Sequence, residues 1–258
     1  MAKPAQPTVP IRDAYGTGIF RRRIRLRQEP GVASGELEDD FHHFAATVRH
    51  DGERVTGATG VASRYPWTTC PGAVDPLARL RGLALSRSLR SVARFTDPRA
   101  QCTHLFDLAS LAVSLAASDR PGVLYDLAVP DRKDGATTIT LHRDGELLLR
   151  WALEGIRIVS PDPFAGHNLA GGGFAAWSEA ELDADTAEAA QVLRRGALIA
   201  MGRAYDMDQV PVARGFASAA GGNCYSFAPE RVDDAKRVLG TMMDFTDAPE
   251  KLLAIERE

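Results

Sequence analysis

The stretch at residues 97–118, DPRAQCTHLFDLASLAVSLAAS, is the most apolar helical segment of the chain. Cys102, Leu105, Phe106, Ala109, Ala112, Val113 and Ala116 recur at helical spacing and define one face. Asp97-Pro98 supplies an N-cap followed by proline at the first helical position. Arg120-Pro121-Gly122 stops the pattern. A helix this apolar has to be buried against other elements, so the rest of the chain is expected to pack around it.

The segments on either side carry strand patterns. Residues 19–27 alternate apolar residues with arginine, with Ile24 and Leu26 on one face. Residues 41–50 and 54–62 flank Asp51-Gly52, expected as a type I′ hairpin turn. Residues 137–142 and 146–153 flank a second Asp-Gly turn at Asp144-Gly145, and residues 156–159 form a further short strand. Helical patterning covers 74–83, 88–95, 185–205 and 231–245, and Ser178 with Glu181 reads as a capping box. Residues 160–177 are expected as a long irregular loop, and 219–222 as a glycine-rich one. The expectation is an α+β protein: antiparallel hairpins packed against several helices, as one compact unit or two tightly packed halves. Residues 1–18 form an extended N-terminal arm and 19–258 a single domain, with a sub-division near 121.

Several functions are disfavoured by composition. The net charge is −3, so nucleic acid is not an expected partner. The run Arg21, Arg22, Arg23, Arg25, Arg27 is followed by Glu36, Glu38, Asp39 and Asp40, as in a solvated strand balanced by acids. Three cysteines are too few and too odd for a secreted disulfide scaffold and fit a reducing cytoplasm. No apolar stretch approaches membrane-spanning length, and the N-terminus has no signal-peptide h-region. G-x-S-x-G, the P-loop and G-x-G-x-x-G are absent, which removes support for serine-hydrolase, NTPase and dinucleotide readings.

Four groups of residues are candidates for chemistry. Cys102 and His104 stand two apart at the start of the central helix. If the helix already runs through both, their side chains diverge by about 200°. If it starts near Thr103, the helix dipole and His104 lower the Cys102 pKa towards a reactive thiolate. Cys70, Cys102, His104 and Cys224 together make a chemically complete zinc shell, although their spacing is not that of a zinc motif. Asp39-Asp40-Phe41-His42-His43 pairs histidines with carboxylates, the combination of a general acid or base. His42 and His43 are neighbours on a strand, so at most one lines a given pocket. Phe164, His167, Phe174 and Trp177 could wall a pocket from a lid.

The run PWTTCPGAVDPLARLRGL followed by QCTHLFDLASLA, together with VLRRGALIAMGRAYDMD and CYSFAPERVDDAKRVLG, resembles the bacterial domain of unknown function 2889 family. The resemblance extends over 40–245 and marks Cys70, Cys102, His104 and Cys224 as matching positions. Gln101 stands where that family's pattern has a glycine. The resemblance implies a fold family and a candidate site, and no reaction.

The leading expectation is a cytoplasmic enzyme that acts on a small aromatic or alicyclic molecule by acid–base chemistry, as a lyase-type cleavage or decarboxylation. His42 or His43 is the base, assisted by Asp40, with His104 as a second acid/base or orienting group. Arg64 holds a substrate anion, and Tyr65, Trp67, His167 and Trp177 line the pocket. No cofactor is required, although zinc is possible. One alternative is a zinc- or iron–sulfur-binding module built on Cys70, Cys102, His104 and Cys224. Another is a non-catalytic small-molecule binder or assembly partner, and a homo-oligomer is open in each case.

Overall fold

The computed structural model describes residues 9–171, 173–217 and 224–254. Eight strands run β1 (Ile19–Glu29), β2 (Val32–Asp39), β3 (His43–His50), β4 (Val55–Arg64), β5 (Gly122–Pro130), β6 (Ala136–Arg143), β7 (Glu146–Glu154) and β8 (Arg157–Ser160). They form one antiparallel sheet in the order β4-β3-β2-β1-β5-β6-β7-β8. The helices are α1 (Arg90–Phe95), α2 (Thr103–Ala116), α3 (Gly173–Glu181), α4 (Ala184–Ala200) and α5 (Arg214–Ala217). The class is α+β, as the hairpin and helix patterns imply. Among the described residues no helix is long and apolar enough to cross a membrane.

The sheet is two four-stranded meanders joined edge to edge. The joint is the β1–β5 ladder, from Ile19 opposite Pro130 to Arg27 opposite Gly122. The chain crosses between the meanders near residue 121, yet the ladder makes the sheet continuous. Helix α2 packs on β1, β2 and β3, and α4 on β5, β6 and β7. The two helices therefore lie on one side of the sheet with a seam between them.

Alternation explains the sheet faces. Phe20, Arg22, Ile24 and Leu26 of β1 are buried beneath the helices. Arg21, Arg23 and Arg25 point the other way, where the C-terminal segment crosses. They donate to the carbonyls of Thr246, Leu252 and Leu253. The acids only partly balance this run: Arg23 pairs with Asp126 at 2.7 Å and Arg25 approaches Glu36 at 3.7 Å. Arg22 is the exception to a solvated reading, since it is buried.

Helix α2 is more deeply buried than a one-faced stripe would be, with every residue from His104 to Leu115 except Asp107 inside. Two glycines permit its close approach. A Cβ on Gly35 would meet Leu26 and Leu108 side chains at 3.0 and 3.1 Å. One on Gly60 would meet the Ala45 carbonyl at 2.8 Å and Leu105 at 3.0 Å.

Several local expectations are corrected. β2 and β5 are strands that the hairpin pattern leaves out. Pro98 opens a short 3-10 turn (Pro98–Ala100), and the α-helix itself starts at Thr103 with Cys102 as its extended N-cap. Asp51 does not have positive φ, so Asp51-Gly52 is not a type I′ turn; its carboxylate instead accepts from the Glu53 and Arg54 amides. At Asp144-Gly145 both residues have positive φ, as type I′ requires. Ser178 lies inside α3, and the cap of the following helix is Asp183, which accepts from Asp185 and Thr186. Residues 70–80 form a 3-10 helix, α4 ends at Ala200, and 231–245 is turns and bridges rather than a helix. Within the expected extended arm, residues 13–16 form turns, Ile11 bridges Tyr205 and the Gly18 amide donates to Asp131. The glycine-rich stretch 219–222 lies outside the described residues.

Candidate functional site

The site begins with a buried ion pair. Arg22 and Asp39 are opposite one another on β1 and β2. Their side chains are 1% and 0% exposed, so each charge needs the other. Arg22 donates to Asp39 Oδ2 through Nε at 2.9 Å and Nη2 at 2.5 Å. Asp39 Oδ1 accepts from the amides of Phe41 and His42, both at 2.8 Å, which closes the turn from β2 into β3. Burial alone would raise the Asp39 pKa. Arg22 and His42 outweigh it and hold the carboxyl well below its usual range.

His42 Nδ1 lies 3.1 Å from Asp39 Oδ1. An ionised carboxylate can only accept, so Nδ1 is the protonated nitrogen and Nε2 carries the lone pair. The His42 ring stacks on His104 from the first turn of α2, with centroids 3.8 Å apart and planes at 30°. Phe44 stacks on the other side of the cluster, 5.8 Å from His104. His104 Nε2 is buried without a hydrogen-bond partner. Burial lowers the pKa of both histidines, His104 the more so because His42 and Arg22 add to it. His42 is the more open of the two, 11% exposed.

A cleft of about 240 Å³ shares Arg22 with this cluster, while Asp39, His42 and His104 do not line it. It occupies the seam between α2 and α4, with Arg22 and Ile24 of β1 in its floor and Thr103, Asp107, Arg194 and Arg195 in its walls. Arg22 therefore faces the cleft and also holds Asp39. Thr103, in the wall, is the sequence neighbour of His104, with Oγ1 3.5 Å from His104 Nδ1.

The other residues marked by sequence are placed differently. His43 faces the opposite side of the sheet, with Nε2 2.8 Å from Glu36. That contact, then Glu38, raises its pKa against the effect of burial. Asp40 does not assist either histidine. It is fully buried against Arg203, and burial pushes its carboxyl up to about 7 despite that partner. Arg64 is spent on the carbonyls of Asp39, Asp40, His42 and Thr241 and on Glu38, so it braces the β2–β3 turn. Trp67 is 1% exposed and packs in the core against Phe227, and Tyr65 packs on the same core. His167 and Trp177 stack on one another at 3.9 Å in an aromatic cluster with Phe164, Phe174 and Trp151. Trp177 and Phe174 sit on α3 rather than on a loop, so that group is a packed core and not a lid.

The thiols do not form a metal shell with His104. Among the described residues, the group of potential ligand atoms that converge within 4.8 Å is Asp39, His42 and His104. Cys70 and Cys102 are buried, and Cys70 Sγ contacts the Ser226 hydroxyl at 3.5 Å. Cys102 does sit at the helix N-terminus. Even so, burial raises its pKa well above the ordinary value, with Cys224 and Cys70 adding to the effect. Desolvation overrides the helix dipole there. Sequence reading places Asp39 in the histidine–acid stretch but gives the assisting role to Asp40, and it takes Arg22 as part of a solvated run. The signal was present in the alternation: Arg22 and Asp39 are the polar residues at inward positions of otherwise apolar faces.

No match to curated proteins is found. Residues 27–117 match the family described as a protein of unknown function, DUF2889. The match is shorter than the resemblance, and it leaves out VLRRGALIAMGRAYDMD, CYSFAPERVDDAKRVLG and Cys224. It takes in Asp39, His42, the Cys-Thr-His-Leu segment and all of α2, and over this segment the chain is similar to the DUF2889 family.

Proposed function

We propose that this protein is an enzyme acting on a small, partly apolar organic molecule by acid–base chemistry, as a lyase-type cleavage or decarboxylation. The observation that carries this reading is the buried Asp39–His42 contact, joined to the cleft through Arg22. A buried, permanently ionised carboxylate fixes one imidazole nitrogen as donor and leaves the other as a base. His42 takes a proton from the substrate. His104, stacked on it, is the second acid/base group. Asp39 orients His42, and Arg22 keeps Asp39 ionised. The three free thiols suit a reducing cytoplasm.

A second reading places a divalent ion such as zinc among Asp39, His42 and His104, favoured by the unpartnered His104 Nε2. Hydrogen-bond accounting weighs against it. Asp39 Oδ1 already accepts from three donors and Oδ2 from two. A carboxylate offers about four lone-pair sites, so a metal would have to displace a donor next to the Arg22 guanidinium.

Turnover of a panel of aromatic and alicyclic acids, alcohols and ketones tests the proposal. Once a turned-over compound is found, His42→Asn is expected to lower kcat by about 100-fold or more, the usual worth of a positioned base, and His43→Asn to leave it within a few-fold. Equal activity in the two variants would overturn the assignment of the base. Saturable binding with no turnover of any compound would make the protein a binder instead.

A further inference from the structure

The cleft between α2 and α4 contains more cationic charge than its own acids neutralise. Arg22 is paired with Asp39 at 2.5 Å, and Arg195 with Asp107 at 2.8 Å. Arg90 stands 3.7 Å from Glu179. Arg194 has no carboxylate partner among the described residues. Its Nη2 donates to the Gly171 carbonyl at 3.0 Å and its guanidinium lies 5.6 Å from the Phe174 ring. Its Nε is buried and unpartnered.

Arg194 is only partly buried and its bond to Gly171 is exposed, so an anion entering the cleft can reach the guanidinium. Its planar array of donors suits a carboxylate. Arg194 offers a single guanidinium without a carboxylate within ion-pair distance, which suits the single charge of a monocarboxylate better than a phosphate, whose charge at neutral pH is about −1.5 to −2. The rest of the lining is apolar, including Ile24, Leu37, Phe106, Leu111 and Val192. A volume of about 240 Å³ is below the roughly 300–1,000 Å³ of drug-sized sites, so the occupant is small.

We infer that the cleft binds a small organic monocarboxylate, with its carboxylate on Arg194 and its apolar body against Ile24, Leu37 and Val192. This rests on the acid–base reading only in taking the bound acid to be the substrate of His42. The binding itself does not depend on that.

The experiment uses the full chain and ligand-detected NMR titration with benzoate and cyclohexanecarboxylate. Benzamide serves as the neutral counterpart and inorganic phosphate as the anion without an apolar body. At least one of the two acids is expected to bind about tenfold or more tightly than benzamide and phosphate, a difference of roughly 1.4 kcal/mol. Arg194→Gln is expected to remove that preference, and His42→Asn to retain it. Binding of neither acid, equal binding of benzamide, or preference for phosphate would each overturn the inference. These wild-type comparisons decide it even if Arg194→Gln does not fold. Acid binding that persists in His42→Asn while turnover is unaffected would defeat the acid–base reading alone. Loss of turnover in His42→Asn with no acid preference in the wild type would defeat the cleft alone.

Discussion

His42 and His104 stack with their ring centroids 3.8 Å apart, one from the β2–β3 turn and the other from the first turn of α2. Two imidazoles this close cannot both carry charge cheaply in a buried site. The neighbouring Asp39 offsets part of the burial cost for His42, while His104 has only a weak contact with Thr103. The pair is therefore neutral at pH 7, the state a base requires.

Histidine titration by NMR checks this directly. His42 and His104 are expected to titrate below 6.5, His104 the lower, and His43 above it. The consequences for stability have opposite signs. The unfolded chain binds protons on His42 and His104 more readily than the folded one. Stability from this pair is complete above about 6.5 and falls as pH drops towards their folded pKa values. His43 contributes fully below 6.5, and its share is lost as pH rises through its folded pKa. His104→Gln is expected to flatten the acidic limb of a stability–pH curve, and His43→Gln the limb above 6.5. Identical curves for the two variants would contradict the placement of these rings.

Arg22→Met removes the partner of a buried carboxylate. Breaking such a pair typically costs about 3–5 kcal/mol, because one charge is left uncompensated. Asp39 also holds the Phe41 and His42 amides, so the loss should disorder the turn that presents His42. The double variant Arg22→Met with Asp39→Asn is expected to be more stable than Arg22→Met alone, since asparagine keeps an acceptor without the charge. Urea denaturation of the wild type, Arg22→Met, Asp39→Asn and the double variant measures this. Additive losses would mean that the two side chains are not coupled.

The same pair marks the limit of what the sequence discloses. The outer hairpins, α2 and α4 follow from alternation and helical spacing, because those patterns are local. β2 and β5 close the centre of the sheet; Pro30-Gly31 and Pro121-Gly122 mark where they start, but nothing local says that β1 pairs with both. His42, His104 and the opposed directions of His42 and His43 are legible from residue type and from the two-residue period. The partner of His42 is not. Asp39 and Asp40 are equivalent in the sequence, and only strand pairing sends one to Arg22 and the other to Arg203. Trp67, His167 and Trp177 look like pocket residues by type, but aromatic rings fill cores as readily. The cleft depends on how two helices from distant parts of the chain flank one seam, which no local motif records.

The thiols give a third test. Burial raises the pKa of Cys70 and Cys102 and pushes Cys224 up to about 12. Reactivity follows the thiolate, so native protein at pH 8 is expected to label with iodoacetamide far more slowly than denatured protein. Cys102→Ala should leave turnover intact. Elemental analysis of untagged protein should find zinc below about 0.2 per chain, since the sulfurs and His104 do not converge. Rapid labelling of Cys102 in the native state, or stoichiometric zinc lost in a Cys102→Ala variant, would reverse this view of the helix start.

Two glycines of β4 separate packing from propensity. A Cβ at Gly60 would press on the Ala45 carbonyl at 2.8 Å and on Leu105 and Leu77, whereas one at Gly57 has nothing within 4 Å. Neither glycine needs positive φ. Gly60→Ala thus pushes β4 away from α2 and β3 and is expected to cost about 1–3 kcal/mol, the range for overpacking a well-filled core. Gly57→Ala reduces the freedom of the unfolded chain at an open position and is expected to be neutral or stabilising by a few tenths up to about 1 kcal/mol. Because α2 carries His104, Gly60→Ala should also weaken the His42–His104 stack. The His104 resonance, read in the same NMR titration, should then move back towards 6.5. A shift in Gly57→Ala but not in Gly60→Ala would show that the register of β4 under α2 is wrong.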